Sequence, residues 1–259
     1  MDGDRFAPDP DAPSLSLVIP AYNEAERIVS TIETVTSFLA LQPYASEVII
    51  VDDGSSDGTA DLARSALYGH PSARLVTIPH GGKAAALRAG MESATRDQVG
   101  FSDADLATPL RYLTELRTAL DGSCDVAIGS REGIGASRIG EPIYRHVMGR
   151  VFNRFVRLAL LPGIQDTQCG FKLFRRAALS DILQRARLYT ESNPFDGPRV
   201  TAFDVELLVV ARQRGYRLCS IPVAWVYGSR SKVQPARDTW HNVIDVLQIR
   251  INVWRGRYG

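Results

Sequence analysis

Between residues 15 and 128 the chain alternates short runs of β-branched and aliphatic residues with longer stretches in which apolar positions recur every three or four residues. Short apolar runs bounded by turn residues read as buried strands, and the 3.6-residue period reads as amphipathic helix. Strands are predicted at Leu15 to Ile19, Glu47 to Val51, Arg74 to Ile78, Gln98 to Phe101 and Asp125 to Ile128. Helices are predicted at about Ala25 to Leu39, Asp57 to Leu67, Lys83 to Ala94 and Pro109 to Ala119. Strands alternating with helices of this length make βαβ units, so the expected class is α/β with a mostly parallel sheet flanked by helices. Two amphipathic helical stripes follow. Arg145 to Leu161 aligns Val147, Val151, Phe155 and Leu158, with Arg150, Arg154 and Arg157 beside or opposite them, and Asp238 to Trp254 aligns Val243, Leu247, Ile251 and Trp254. A helix packed on the sheet and a helix lying in a membrane interface share this pattern.

Composition narrows the class. A length of 259 residues suits one α/β domain, and 45% hydrophobic with 23% charged residues excludes a disordered or coiled-coil chain. A net charge of +1 gives no bulk attraction for nucleic acid, and none is expected as a partner. The charges are unevenly placed. Asp2, Asp4, Asp9 and Asp11 face only Arg5, so residues 1 to 13 are expected to form a flexible acidic leader. Residues 131 to 160 carry six arginines against two glutamates, and residues 229 to 259 carry six basic against two acidic residues. The second half is therefore expected to meet something anionic. Cys124, Cys169 and Cys219 are far apart with no CxxC pair, which points away from a disulfide framework or structural zinc and toward a reducing compartment. No apolar run reaches 18 residues and the acidic start is unlike a signal peptide, so a cytoplasmic protein without a membrane span is expected.

The chemistry gathers where the predicted strands end. Pro20-Ala21-Tyr22-Asn23-Glu24 follows the first strand, Asp52-Asp53-Gly54-Ser55-Ser56-Asp57-Gly58-Thr59 the second, and Ser102-Asp103-Ala104-Asp105 the fourth. Ligands of parallel sheets bind at the carboxyl ends of the strands, and carboxylates grouped there repel one another unless a cation or hydrogen-bond donors compensate. Asp57 by itself fits a helix cap, and Asp52 and Asp53 fit turn formers. Asp103 and Asp105, one residue apart, suit Mg²⁺ or Mn²⁺ clamped on a diphosphate, whether both bind the metal or one reaches a ribose. His70, His80, His146 and His241 show no ligand spacing and are expected at the surface. A dinucleotide fold is excluded by the missing GxGxxG, and a P-loop by the lack of the upstream glycine and following Ser or Thr around Gly82-Lys83.

These four segments, Val18 to Glu24, Val51 to Thr59, Gly82-Lys83 and Asp103 to Asp105, resemble the family 2 glycosyltransferases of GT-A fold over about residues 14 to 232. Within that family, Gly129-Ser130-Arg131, Asp166 to Lys172, Phe203 to Leu208 and Gly228 to Lys232 are similar to the polyprenyl-phosphate and dolichyl-phosphate sugar synthases. The resemblance implies a Rossmann-like GT-A domain over 14 to 232, followed by a basic amphipathic helix over 233 to 259. It implies that Pro20, Tyr22 and Glu24 line the nucleotide pocket, that Asp53 takes the base or ribose edge, and that Lys83 helps hold the donor. Asp103 and Asp105 would bind the Mg²⁺ or Mn²⁺ that bridges the donor diphosphate.

Mannosyl members commonly follow Asp-Ala-Asp-Leu with Gln. Ala107 stands there instead, which turns the likeness toward the glucosyl branch, with UDP-glucose as donor ahead of GDP-mannose or an aminosugar nucleotide. The implied reaction is inverting hexosyl transfer to a polyprenyl phosphate. Asp204 orients donor or acceptor in that reaction, and would be the general base if the acceptor were a hydroxyl. Arg131, Arg138 and Lys232 are the expected cations for the acceptor phosphate, and peripheral attachment to the cytoplasmic membrane face follows from the lipid acceptor.

Overall fold

The computed structural model describes residues 8–188, 202–228 and 235–259. Its first five strands are β1 (Leu15–Ala21), β2 (Ser46–Asp52), β3 (Ala73–Thr77), β4 (Gln98–Ser102) and β5 (Val126–Ser130). They alternate with α1 (Ile28–Ala40), α2 (Thr59–Ala66), α3 (Gly82–Ser93) and α4 (Leu113–Asp121). Each overlaps its predicted segment. Pro109 is followed by a single 3₁₀ turn over Leu110–Tyr112, so α4 begins four residues later than the periodicity indicates.

The second half adds β6 (Ser137–Ile139), α5 (Ile143–Ala159), β7 (Phe171–Arg175), α6 (Arg176–Arg185), α7 (Phe203–Gln213), β8 (Leu218–Pro222), β9 (Ala224–Val226) and α8 (Pro235–Trp254). Seven strands form one sheet in the order β3-β2-β1-β4-β7-β5-β8, and β6 pairs with β9 in a two-stranded ribbon. The main sheet is parallel except at β7, which runs antiparallel between β4 and β5. The α/β architecture with a mostly parallel sheet is therefore the one expected, and the inserted antiparallel strand is the part that periodicity does not reveal.

Both faces of the sheet are covered, which is why its strands are almost continuously apolar. Successive residues alternate between the two cores: Val18, Ile49 and Val51 pack on one side, and Leu17, Ile19, Val48 and Ile50 on the other. Helix α3 lies unusually close to β1, because a Cβ on Gly90 would fall 2.3 Å from Val18 Cγ1. That approach fixes the helix whose first turn carries Lys83.

Two expectations are corrected. Cys124 and Cys219 form a disulfide, with Cα atoms 6.0 Å apart, although 95 residues separate them. Cys124 lies just before β5 and Cys219 within its parallel neighbour β8, a proximity created by the crossover and invisible in the spacing. Cys169 is free and buried. His80 is not a surface residue, since its ring stacks on Tyr22 with centroids 4.1 Å apart.

Helices α5 and α8 pack against each other, with an unusual distribution of polarity. In α8 the polar residues Asn242, Asp245 and Asn252 are buried, while Leu247 is 51% and Trp254 83% exposed. Asp245 accepts the Ala202 N–H ahead of α7, and Asn252 donates to the Tyr258 hydroxyl. In α5, Asn153 is buried while Val151 and Leu158 are 65% and 75% exposed. Among the described residues, no helix is long and apolar enough to cross a membrane.

Candidate active site

Parallel pairing of β2, β1 and β4 brings their carboxyl ends to one edge, with Asp52 opposite Ala21. The loops after β1 and β2 are zipped together. Asn23, at a left-handed φ of 52°, donates its N–H to Ser55 Oγ and accepts the Ser56 N–H. The Glu24 N–H donates to Thr59 Oγ1, and the Ala25 N–H to Asp57 Oδ2. Asp57 also accepts the Thr59 N–H as a turn former, while Gly58, at φ 89°, takes the cap position of α2 that the sequence offered to Asp57. Glu24 further pairs with Arg27 at 2.8 Å. Pro20, Tyr22 and Glu24 thus frame one side of the edge.

The two adjacent aspartates behave differently. Asp53 accepts the Gly81 and Gly82 N–H groups at 2.8 and 2.9 Å and faces His80 Nδ1 at 2.9 Å. Burial pushes its carboxyl up, against the opposing pull of these donors. Its oxygens therefore organise the loop that launches α3. Asp52 accepts the Ser55 N–H through Oδ2, but its buried Oδ1 has no partner among the described residues. The pinned loop projects Lys83 so that Nζ lies 2.5 Å from Asp103 Oδ1. Desolvation acts to lower the Lys83 ammonium, yet the fields of Asp103, Asp204 and Asp105 outweigh it and hold it above the ordinary lysine range.

Asp105 accepts the Ala107 N–H at 3.1 Å. Partial desolvation and the like charge of Asp103 push its carboxyl up. Opposite, β7 brings Gly170 so close that a Cβ there would lie 2.1 Å from Asp103 Oδ2. The fully buried Lys172 donates to the Cys169 carbonyl, lies 3.1 Å from Asp204 Oδ2 at the first turn of α7, and sits over the Phe101 ring. Two carboxylates at one strand end, all-oxygen donors, and a glycine that lets the Asp103 carboxylate lie against β7 make a donor set that suits Mg²⁺ or Mn²⁺.

The expected acceptor cations separate in the structure. Arg131 forms a bidentate pair with the fully buried Asp166, through Nε at 2.7 Å and Nη2 at 2.8 Å, and its backbone N–H donates to the same carboxylate. Burial acts to raise Asp166, but Arg131 dominates and holds the carboxyl well below its usual range. Asn153 on α5 donates to Asp166 and accepts from Thr167, tying this pair to the amphipathic helix. The Nη1 group of Arg131 takes no part in the ion pair, and the guanidinium lies 5.5 Å from the Trp225 ring centroid. Arg138 is engaged by Glu132 at 3.0 Å and Glu141 at 2.9 Å, so its charge is already compensated. Lys232 lies outside the described residues.

Asp103, Asp105, Lys83 and Asp204 are therefore brought together, with Asp53 behind them as their organiser. Asp166 and Gly170 stand in the matching motifs without a role assigned from sequence, and Lys172, open from sequence to the surface or to a phosphate, is buried. Lys172 carried a usable signal: a lysine inside the apolar strand Phe171–Arg175 needs a buried counter-charge, and Asp204 is the one it finds.

The profile of Glycosyl transferase family 2 matches residues 16–183. A dolichyl-phosphate beta-glucosyltransferase of Trichomonas vaginalis is 31% identical over 91% of this chain and 70% of its own. The Homo sapiens dolichyl-phosphate beta-glucosyltransferase is 32% identical over 96% of this chain and 79% of its own. Among solved structures, glucosyl-3-phosphoglycerate synthase from Mycobacterium tuberculosis, in complex with Mn²⁺, UDP and glucosyl-3-phosphoglycerate, superposes with a TM-score of 0.64. It is 22% identical, over 92% of this chain and 80% of that one, and the shared fold is GT-A.

Proposed function

This chain belongs to glycosyl transferase family 2, and we propose that it transfers glucose from UDP-glucose, with inversion at the anomeric carbon, to a polyprenyl phosphate. The observation that carries the reading is the Asp103 and Asp105 pair faced by Lys83 at the sheet edge. It occurs in a chain similar over most of its length to proteins named dolichyl-phosphate beta-glucosyltransferases.

Asp103 and Asp105 would hold Mg²⁺ or Mn²⁺, which supplies positive charge to the departing nucleoside diphosphate. Tyr22, Pro20 and Glu24 wall the nucleotide. The unpartnered Asp52 Oδ1 is suited to accept an N–H of the base, while Asp53 keeps the loop bearing Lys83 in place. A monoalkyl phosphate has a second pKa of about 6, so at neutral pH the acceptor is largely a dianion and attacks without a base. Its oxygen forms the new bond to the anomeric carbon as the bond to the diphosphate breaks on the opposite face.

Asp204 then positions donor or acceptor groups. The Lys172 ammonium, 3.1 Å from Asp204 Oδ2, holds that carboxylate in place. Arg131, rigidly held by Asp166 with Nη1 outside the ion pair, is the arginine we assign to the acceptor phosphate, with Lys232 as its second cation. Arg138, paired with Glu132 and Glu141, shapes the loop that follows Arg131. Residues 14 to 232 make the catalytic domain on this reading, and the C-terminal helix is a basic appendage. The apolar faces of α5 and α8, with Arg150, Arg154, Arg250 and Arg255 exposed beside them, fit the surface of an anionic bilayer carrying the lipid acceptor.

The test offers radiolabelled UDP-glucose, GDP-mannose and a UDP-aminosugar with polyprenyl phosphate and Mn²⁺, and measures organic-soluble label. Label from UDP-glucose alone is expected. Label from GDP-mannose alone overturns the donor, and label only on added soluble sugars overturns the acceptor.

A further inference from the structure

We propose that the Lys83 ammonium is a built-in placeholder for the divalent cation, closing the Asp103 and Asp105 site in the donor-free protein and leaving it when metal and nucleotide arrive together. The inference rests on the metal-dependent reading above.

Lys83 Nζ lies 2.5 Å from Asp103 Oδ1, within the fields of Asp105 and Asp204. Asp103 Oδ2 is packed against Gly170, which leaves Oδ1 as the oxygen for a metal; a divalent ion there would sit at about 2.0–2.1 Å, which forces two like charges into a few ångströms of shared space. Both cannot hold that position, so the ammonium moves or the metal stays out.

The structure provides for the movement. Its backbone root is fixed, because Asp53 grips the Gly81 and Gly82 N–H groups and Gly90 seats α3 against β1. The side chain is 41% exposed on a flexible four-carbon stem, so the ammonium relocates by rotamer change alone. A diphosphate gives it a new partner next to the metal. Displacement is then unfavourable for the metal alone and offset when the nucleotide binds, and by linkage each ligand tightens the other. The arrangement keeps the carboxylates compensated in the empty protein and makes metal and nucleotide load as a pair.

Titration of the full chain with Mn²⁺, reading free Mn²⁺ by electron paramagnetic resonance with and without UDP, tests this. Lys83→Met is expected to bind Mn²⁺ without UDP at least tenfold more tightly than the unmodified protein. UDP should then tighten Mn²⁺ binding more in the unmodified protein than in the variant. Equal or weaker Mn²⁺ binding by Lys83→Met without UDP overturns the placeholder. Lys83→Gln carries the same expectation if the first variant does not fold. Asp105→Asn separates the two readings. If it abolishes Mn²⁺ binding while Lys83→Met changes nothing, only the placeholder fails. If Mn²⁺ does not bind even with UDP, or binds unchanged in Asp105→Asn, the metal reading fails and takes the placeholder with it.

Discussion

Replacing Gly170 by alanine adds one methyl group at the point where β7 meets the carboxylate pair. The Cβ would lie 2.1 Å from Asp103 Oδ2, 2.6 Å from Cγ and 2.9 Å from Oδ1, where ordinary contact begins near 3.4 Å. Gly170 is not among the glycines at positive φ, so the backbone accepts alanine and the methyl alone is the perturbation. Relief requires the Asp103 carboxylate to retreat by about 1.3 Å, the difference between 2.1 and 3.4 Å. The displaced group is the end of a short, partly exposed side chain, so folding stability should fall by no more than about 1 kcal/mol. A misplacement of about 1 Å at a reacting centre costs on the order of 100-fold in rate, or about 2.7 kcal/mol of transition-state stabilisation. The assay is UDP-glucose-dependent transfer to polyprenyl phosphate across a Mn²⁺ series, with a urea melt on the same preparation. Transfer within threefold of the unmodified protein, with an unchanged melt, would refute the placing of Asp103 at the reacting centre.

Three other outcomes are expected. Because the folded Asp166 carboxyl is held far below its ordinary range, its pairing with Arg131 stabilises the fold above the unfolded value of about 3.9 and is lost as pH falls below that value. Asp166→Asn should lose about 3–5 kcal/mol at pH 7 and show a shallower fall in stability from pH 4 to pH 2, read by urea denaturation; parallel pH profiles would count against it. Tyr258→Phe removes a 2.7 Å hydrogen bond to the buried Glu206, whose other donors are the Arg187 and Leu188 N–H groups. It should cost about 1–3 kcal/mol in the same assay, and a loss under 0.3 kcal/mol would show that the hydroxyl is dispensable. Trp254→Glu should leave transfer to a short, water-soluble prenyl phosphate unchanged while reducing sedimentation with anionic vesicles severalfold at low salt; unchanged sedimentation removes α8 from the bilayer surface.

The first half of the fold was legible because each β1-to-β5 element carries its own period, and parallel strands buried on both faces announce themselves as apolar runs. The carboxylates were legible for the same reason: Asp53, Asp103 and Asp105 sit at strand ends whose positions follow from the runs. What periodicity cannot convey is which of two adjacent buried aspartates keeps an oxygen without a partner among the described residues. Asp53 is consumed by the Gly81 and Gly82 N–H groups, a contact across 28 residues that depends on the loop after β3 folding back. Helix α8 reads as amphipathic in either environment. Only the tertiary structure reveals that three of its polar residues, Asn242, Asp245 and Asn252, face inward. The disulfide depends likewise on β5 and β8 becoming neighbours.

The antiparallel β7 explains why the second half of the sequence reaches the site at all. Its ladder with β4 pairs Phe101 with Lys172 and Ser102 with Phe171. One step further along the same register brings Asp103 opposite Gly170, which is the close approach observed. Glycine at 170 and lysine at 172 are therefore two consequences of one pairing. The first leaves room for the Asp103 carboxylate at the rim, and the second lies one pleat deeper on Phe101 and reaches Asp204. Strand side chains alternate between faces, so a slip of one residue would present Phe171 or Leu173 where Lys172 now meets Asp204. It would also leave that buried carboxylate without its cation. The register of β7 thus sets the charge balance of the site as directly as the identities of its aspartates do.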